Sequence, residues 1–192
     1  RDPEMSRGLG DVYKRQAMKW YGKGPLETYP DRQCGGRMGV YSEDVRNQPF
    51  YLRPQEYGLH MESRSMRLTD PDRADFVRFE AACPMAMSAV PYSDLQLWNA
   101  RHPLELPAPE ALYVHLDYAH RGLGNSSCGP DVLPTYRIDD RPCHFGFALE
   151  AGLGEREDNP FGPIPEEIPA YHPWKAVGEQ DRTPVSYTHL RA

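Results

Sequence analysis

Long apolar runs are missing from this chain. No stretch approaches the roughly 18 consecutive apolar residues of a membrane-spanning helix, so no membrane partner is expected. Basic residues are in deficit, 22 Lys and Arg against 28 Asp and Glu for a net charge of −6, and an acidic chain makes nucleic acid an unsuitable partner. Cysteine is scarce too. Cys34, Cys83, Cys128 and Cys143 show no paired spacing, a pattern of free thiols in a reducing, cytoplasmic compartment rather than a disulfide framework. Long helices are disfavoured by 20 prolines and 16 glycines, which cut the chain into short pieces and favour strands joined by structured loops. What is there suffices for one domain: 39% hydrophobic and 11% aromatic residues can bury a core.

The two ends read differently from the rest. Residues 1–16, ending Asp-Val-Tyr-Lys-Arg-Gln, and residues 184–192 resemble translated sequencing-adapter read-through and are set aside from fold reasoning. Removing their five cations and three anions takes the net charge from −6 to −8. The expected organisation is then a β domain over residues 17–150, incomplete at its N-terminal side, followed by a proline-rich extension over 151–183. In that extension Pro160, Pro163, Pro165, Pro169 and Pro173 sit among acids, which predicts an extended or disordered segment, with Tyr171 and Trp174 as its anchors on the domain surface.

The rest of the chain is organised around residues 112–130. Leu112, Val114, Leu116 and Tyr118 alternate with Tyr113, His115 and Asp117, the period of a half-buried strand. A loop follows in which Gly122, Gly124, Gly129 and Pro130 demand a defined backbone geometry, with Asn125, Ser126 and Ser127 at its tip. Upstream, residues 18–21 form a strand expected to break at Gly22, and 37–45 a second. Residues 62–68 alternate cleanly. Asp70, Pro71 and Asp72 make a turn. Residues 76–81 and 86–90 read as two antiparallel neighbours around the Cys83-Pro84 break, and the out-of-phase Phe76 and Phe79 require a bulge or burial on both faces. One short helix is expected after Ser93, which can cap it, with Asp94 at its positive end and Leu95, Leu97 and Trp98 on its apolar side. Phe145, Phe147 and Leu149 share one face of a last, core strand.

Several residues have catalytic or ligand chemistry. His115, Asp117 and His120 have the composition of a metal site, but His120 lies beyond the strand and no second cluster completes the shell, so they read as partly buried polar residues. Gly122 and Gly124 lack the further glycines and the Lys-Ser/Thr ending of a phosphate cradle. Glu27 and Asp31 would suit a paired-carboxylate hydrolase only at a separation that sequence does not give; Asp31 and Arg32 read instead as a pair holding a turn. His102 reads as a helix-end residue interacting with the last carbonyls.

Three blocks together carry a resemblance. Trp20, Gly22, Gly24, Pro25, Glu27, Tyr29, Asp31 and Arg32 follow a Trp-x-Gly-x-Gly-Pro-x-Glu-x-Tyr-x-Asp-Arg signature. Pro54, Glu56 and Gly58 follow a Pro-x-Glu-x-Gly turn, and residues 113–130 supply the third block. In this order they resemble the C-terminal small-chain domain of bacterial β-galactosidases of glycoside hydrolase family two. The resemblance implies an all-β fold, an antiparallel β-sandwich of the galactose-mutarotase-like supersandwich type with one short helix. It implies a fragment without catalytic residues of its own, one that packs on the enzyme's catalytic barrel and closes part of a galactoside pocket. Magnesium and a monovalent cation belong, on this resemblance, to the missing barrel, with no cofactor in the fragment, and the intact enzyme is a homo-oligomer.

By the same resemblance Asn125, Ser127 and Cys128 border the substrate. Many relatives place a tryptophan at the end of this loop, on which the sugar ring stacks, where this chain has Cys128. A lost aromatic face weakens sugar binding or shifts aglycone preference, being worth about 0.5–1.5 kcal/mol beyond area burial; equally, Cys128 is a small buried hydrophobe in a differently shaped loop. The rival readings are a free-standing mutarotase-like enzyme and a carbohydrate-binding module.

Overall fold

The computed structural model describes residues 17–47, 51–70, 72, 74–124, 130–138 and 142–153. They form one antiparallel, six-stranded sheet: β1 (Ala17–Gly24), β2 (Arg37–Asp44), β3 (His60–Thr69), β4 (Phe76–Val90), β5 (Tyr113–Asp117) and β6 (Phe147–Gly152). The order is β2-β1-β3-β4-β5, with β6 also on β4. The only α-helix among the described residues is α1 (Asp94–Asn99). The chain is all-β, as expected.

Alternation along the strands separates two faces. Trp20 pairs with Met66 and Met18 with Leu68 across β1 and β3, and Met66 and Leu68 pair with Phe79 and Val77 on β4. Their shared face is the apolar one, while Lys19, Arg67 and Arg78 take the other. Met18, Trp20, Met66 and Phe79 form a single buried cluster with Met85, Met87 and Ala89 from the far half of β4, and Leu112, Val114 and Leu116 pack against it. Truncating a fully buried residue such as Met66 to Ala costs about 2–5 kcal/mol.

Two strands run further than the sequence suggests. β1 continues through Gly22 because a glycine is what lets β3 approach: a Cβ there would lie 2.4 Å from Ser63 Oγ and 2.8 Å from Ser63 Cα. The two strands expected around Cys83-Pro84 are one strand of 15 residues. Between the pairs Ser65 with Glu80 and Ser63 with Met85, residues 81–84 face only Arg64. Pro84, which has no amide to donate, is accommodated in that bulge. The halves of β4 are therefore not neighbours; the first pairs with β6 and the second with β5. Phe76 and Phe79 are both buried on opposite faces, with no shift of register between them.

The turn at Asp70 forms as anticipated, its Oδ1 accepting the Asp72 N–H at 2.8 Å and its carbonyl the Ala74 N–H. Ser93 caps α1 in a reciprocal box with Gln96. Of the apolar side, only Leu97 is buried in the helix; Leu95 and Trp98 face out. His102 lies past the helix, exposed, and its ring caps nothing. The expected core strand at the end is an edge strand instead: it begins at Phe147, and Phe145, Phe147 and Leu149 are about half exposed. They lie on the apolar side of the sheet, since Phe147 pairs with Ala81 and Leu149 with Phe79. The segment 154–183 lies outside the described residues.

An apolar strip this open, beside unpaired strand edges, is a template for association. The 192-residue chain alone is expected to self-associate and bind a hydrophobic dye, and Phe147→Asp with Leu149→Asp to reduce both. A monodisperse monomer that unfolds cooperatively without binding dye would contradict this.

Candidate functional site

The three blocks singled out in the sequence meet in space. The first ends in a tight turn: Tyr29 and Arg32 exchange both backbone hydrogen bonds, at 3.0 and 2.9 Å, which leaves Pro30 and Asp31 at its corners. From there Asp31 reaches the third block, 92 and 93 residues on. Its Oδ1 accepts the Leu123 N–H at 2.9 Å and its Oδ2 the Gly124 N–H at 2.7 Å. Gly124 has φ +63°, and a Cβ there would stand 2.5 Å from Val132 Cγ1, so the position requires glycine for both conformation and space. The neighbouring Gly122 N–H is held by the Tyr136 carbonyl at 2.9 Å.

Glu27 joins the first block to the second. Buried, it accepts from Arg32 Nη1 at 2.6 Å and from the Tyr51 hydroxyl through Oε1, and from the Gly58 N–H at 2.9 Å through Oε2. Arg32 therefore pairs with Glu27 and Tyr51, not with its neighbour Asp31 as the sequence suggested. The Tyr51 hydrogen bond strengthens the guanidinium's hold on its proton, and burial, followed by the bond to Glu27, pushes the Tyr51 hydroxyl up. Burial, then the carboxylates Glu56 and Glu27, likewise raises Tyr29. Glu27 and Asp31 are each occupied by two or more donors, so a paired-carboxylate acid and base is not what this turn builds.

The second and third blocks are joined by His120. Its Nδ1 lies 2.6 Å from the Arg121 carbonyl and its Nε2 2.7 Å from Glu56 Oε1, and the ring meets Tyr29 edge-on at 5.4 Å. Both partners only accept, so both ring nitrogens must donate, which selects the imidazolium. Burial pulls the His120 pKa down, but the Glu56 hydrogen bond and charge, the Arg121 carbonyl and Asp117 together raise it above the ordinary histidine value. Burial raises Asp117 above the usual carboxylate range, against the opposing influence of His120 and His115. On the other flank of the loop Asp131 accepts from Arg121 and from the Val132 N–H at 2.8 Å, the latter the main influence holding its carboxyl below the usual range.

Asn125, Ser127 and Cys128, expected at the substrate, lie outside the described residues; their flanks, Gly124 and Asp131, are the pinned points. Cys34, Cys83 and Cys143 are free thiols. His115, Asp117 and His120 do not assemble into a metal site, and no group of three or more His, Cys, Asp or Glu fits a metal among the described residues. The sequence reading gave no role to Tyr51, to Glu56 as the His120 partner, or to Asp131. Glu56 stood inside a matched block and could have been found there; Tyr51 and Asp131 lie in loops with no periodic signal.

An all-β domain cross-tied around one glycine-shaped loop is the class that this fold and geometry define. The chain belongs to the β-galactosidase small chain family, whose model matches residues 9–149. It is 30% identical over 149 residues to the β-galactosidase of Staphylococcus xylosus, covering 77% of this chain and 15% of that protein. With β-galactosidase BgaC of Bifidobacterium adolescentis the identity is 40% over 139 residues, 69% of this chain and 13% of the relative. The β-galactosidase small subunit of Latilactobacillus sakei is 37% identical over 139 residues, 64% of this chain and 42% of its own length. The chain thus spans less than half the length of each of these relatives.

The raised His120 pKa fixes a sign. A histidine stabilised in its charged form contributes fully below its unfolded pKa of about 6.5 and loses that contribution as pH rises through the higher folded value. His120→Gln should therefore destabilise at pH 6 by roughly 0.5–1 kcal/mol, the small figure reflecting the half-exposed Glu56, and should match the parent chain near pH 9. Thermal unfolding of the protein and its variant at the two pH values checks it; a deficit unchanged at pH 9 would count against the charged pair.

Proposed function

We propose that this chain is the C-terminal, non-catalytic portion of a β-galactosidase of glycoside hydrolase family two, a cytoplasmic enzyme that hydrolyses terminal non-reducing β-D-galactosyl bonds such as that of lactose. In this reading the chain is a fragment. It packs on the catalytic barrel as half of a galactose-mutarotase-like supersandwich, and the loop over residues 122–130 closes one side of the sugar pocket. Asn125 and Ser127 offer hydrogen bonds there, and Cys128 stands where many relatives carry a tryptophan. The observation that carries the reading is the convergence of all three family blocks on that loop through Asp31, Glu27 and Glu56. The open apolar side of β6 supports the incomplete sandwich. Free thiols at Cys34, Cys83 and Cys143 favour a reducing compartment.

The described residues contribute positioning rather than proton transfer. Glu27 and Asp31 are committed to holding backbone, and His120 to Glu56 and the Arg121 carbonyl. On the family resemblance, magnesium and a monovalent cation are assigned to the barrel of the complete enzyme, which we take to be a homo-oligomer.

The complete gene product should hydrolyse lactose and aryl β-D-galactosides, while the 192-residue chain alone should hydrolyse neither and bind no galactose. Accelerated anomer exchange by the isolated chain, followed by polarimetry, would favour a mutarotase. Galactose binding without the barrel would favour a free-standing binding module. Either result overturns the proposal.

A further inference from the structure

The polar face of the sheet carries a row of cations. Lys19 on β1 is paired with Arg67 on β3, and Arg67 with Arg78 on β4, so three positive charges stand side by side across three adjacent strands. Like charges directly opposite one another destabilise a sheet, and on a chain of net charge −6 such a row is a place for anions. Arg78 already meets two, Glu80 on its own strand at 3.0 Å and Glu150 on β6 at 3.7 Å.

The same face holds buried donors that lack acceptors. Tyr21 and Ser65, paired with each other one step along the face from Lys19 and Arg67, are 4% and 3% exposed. Neither hydroxyl has a hydrogen-bond partner, and Arg78 Nε is buried without one as well. Folded proteins leave few such groups unmet. Three donors beside a cationic row call for an occupant rich in acceptors, carboxylates and backbone carbonyls above all.

The chain itself contains one. β6 leads it to this row, since Glu150 is paired with Arg78 and Gly152 with Phe76, over whose ring the Arg67 guanidinium lies at 4.0 Å. Residues 154–183 then carry seven acids against Arg156, Lys175 and Arg182, beginning with Glu155, Glu157 and Asp158. Their five prolines remove amide donors and keep the carbonyls. The reach is sufficient. Lys19 lies three strand spacings from Glu150, about 14 Å at the usual separation, and five residues of extended chain span about 17 Å.

We propose that Glu155, Glu157 and Asp158 fold back over the row of Lys19, Arg67 and Arg78, so that the acidic extension is held on the polar face of the sheet by its own chain's cations. The inference is independent of the galactosidase reading, because the family match ends at residue 149, ahead of this segment.

Carbodiimide coupling, which joins an amine to a carboxylate in direct contact, tests it in an equimolar mixture of unlabelled and 15N-labelled protein read by mass spectrometry. The amide from Lys23 to Glu62, whose charged groups lie 2.6 Å apart, reports that the sheet is formed in the same sample. Amides from Lys19 to Glu155, Glu157 or Asp158 within one chain are expected. These three acids lie outside the strands, and replacing them together, Glu155→Gln, Glu157→Gln and Asp158→Asn, should speed acetylation of the Lys19 amine at least threefold while Lys23 keeps its rate. Lys19 amides only to other carboxylates, amides only between light and heavy chains, or a Lys19 acetylation rate unmoved by the three substitutions would overturn the proposal.

Discussion

The structure depends on one carboxylate. Asp31 sits at the corner of a two-residue turn and accepts two consecutive amides, those of Leu123 and Gly124, from a segment more than 90 residues later. Hydrogen bonds to a charged acceptor are worth about 1.5–3 kcal/mol each, and two on one carboxylate also fix an orientation. They are the direct backbone tie between the signature turn and the glycines; Gly122 is tied to Tyr136, which belongs to the loop's own return, and the other contact on this side is the edge-on packing of Tyr29 against His120, ahead of the glycines.

The remaining ties are arranged about this one. Glu27 locks the signature turn to the Gly58 amide, and Glu56, on the same short segment, reaches His120 just ahead of the glycines. Three blocks far apart in the chain thus become one rigid unit in which each carboxylate has backbone or charged donors of its own. Such a unit shapes a loop; it does not leave an acid or base free. The carboxylates of this unit are thus committed to holding backbone and charged side chains.

Much of this was legible in the sequence. Period-2 alternation located the strand at Val114 and Leu116, the cap residue located α1, and the glycine spacing marked a loop of demanded shape. The failures have physical causes. Gly22 reads as a breaker locally, yet it is a close-approach residue whose partner, Ser63, is visible only once β3 is paired with β1. Pro84 reads as the end of a strand, yet a bulge against a single residue of β3 absorbs it. Phe145, Phe147 and Leu149 were recognised as one face, but alternation reports which side is apolar, not what covers it. Adjacent charges mislead in the same way: Asp31 and Arg32 point to different partners because a tight turn sends successive side chains apart.

The central claim, that Asp31 sets the shape of the loop, is tested most directly by amide hydrogen exchange at Leu123 and Gly124 in the protein. Both amides should be protected in the parent protein, exchange at least tenfold faster in Asp31→Ala, and fall between in Asp31→Asn, which keeps one acceptor oxygen, while amides of β1 and β3 hold their rates. Exchange at Leu123 and Gly124 that is fast in the parent, or unaltered by Asp31→Ala, would contradict the account.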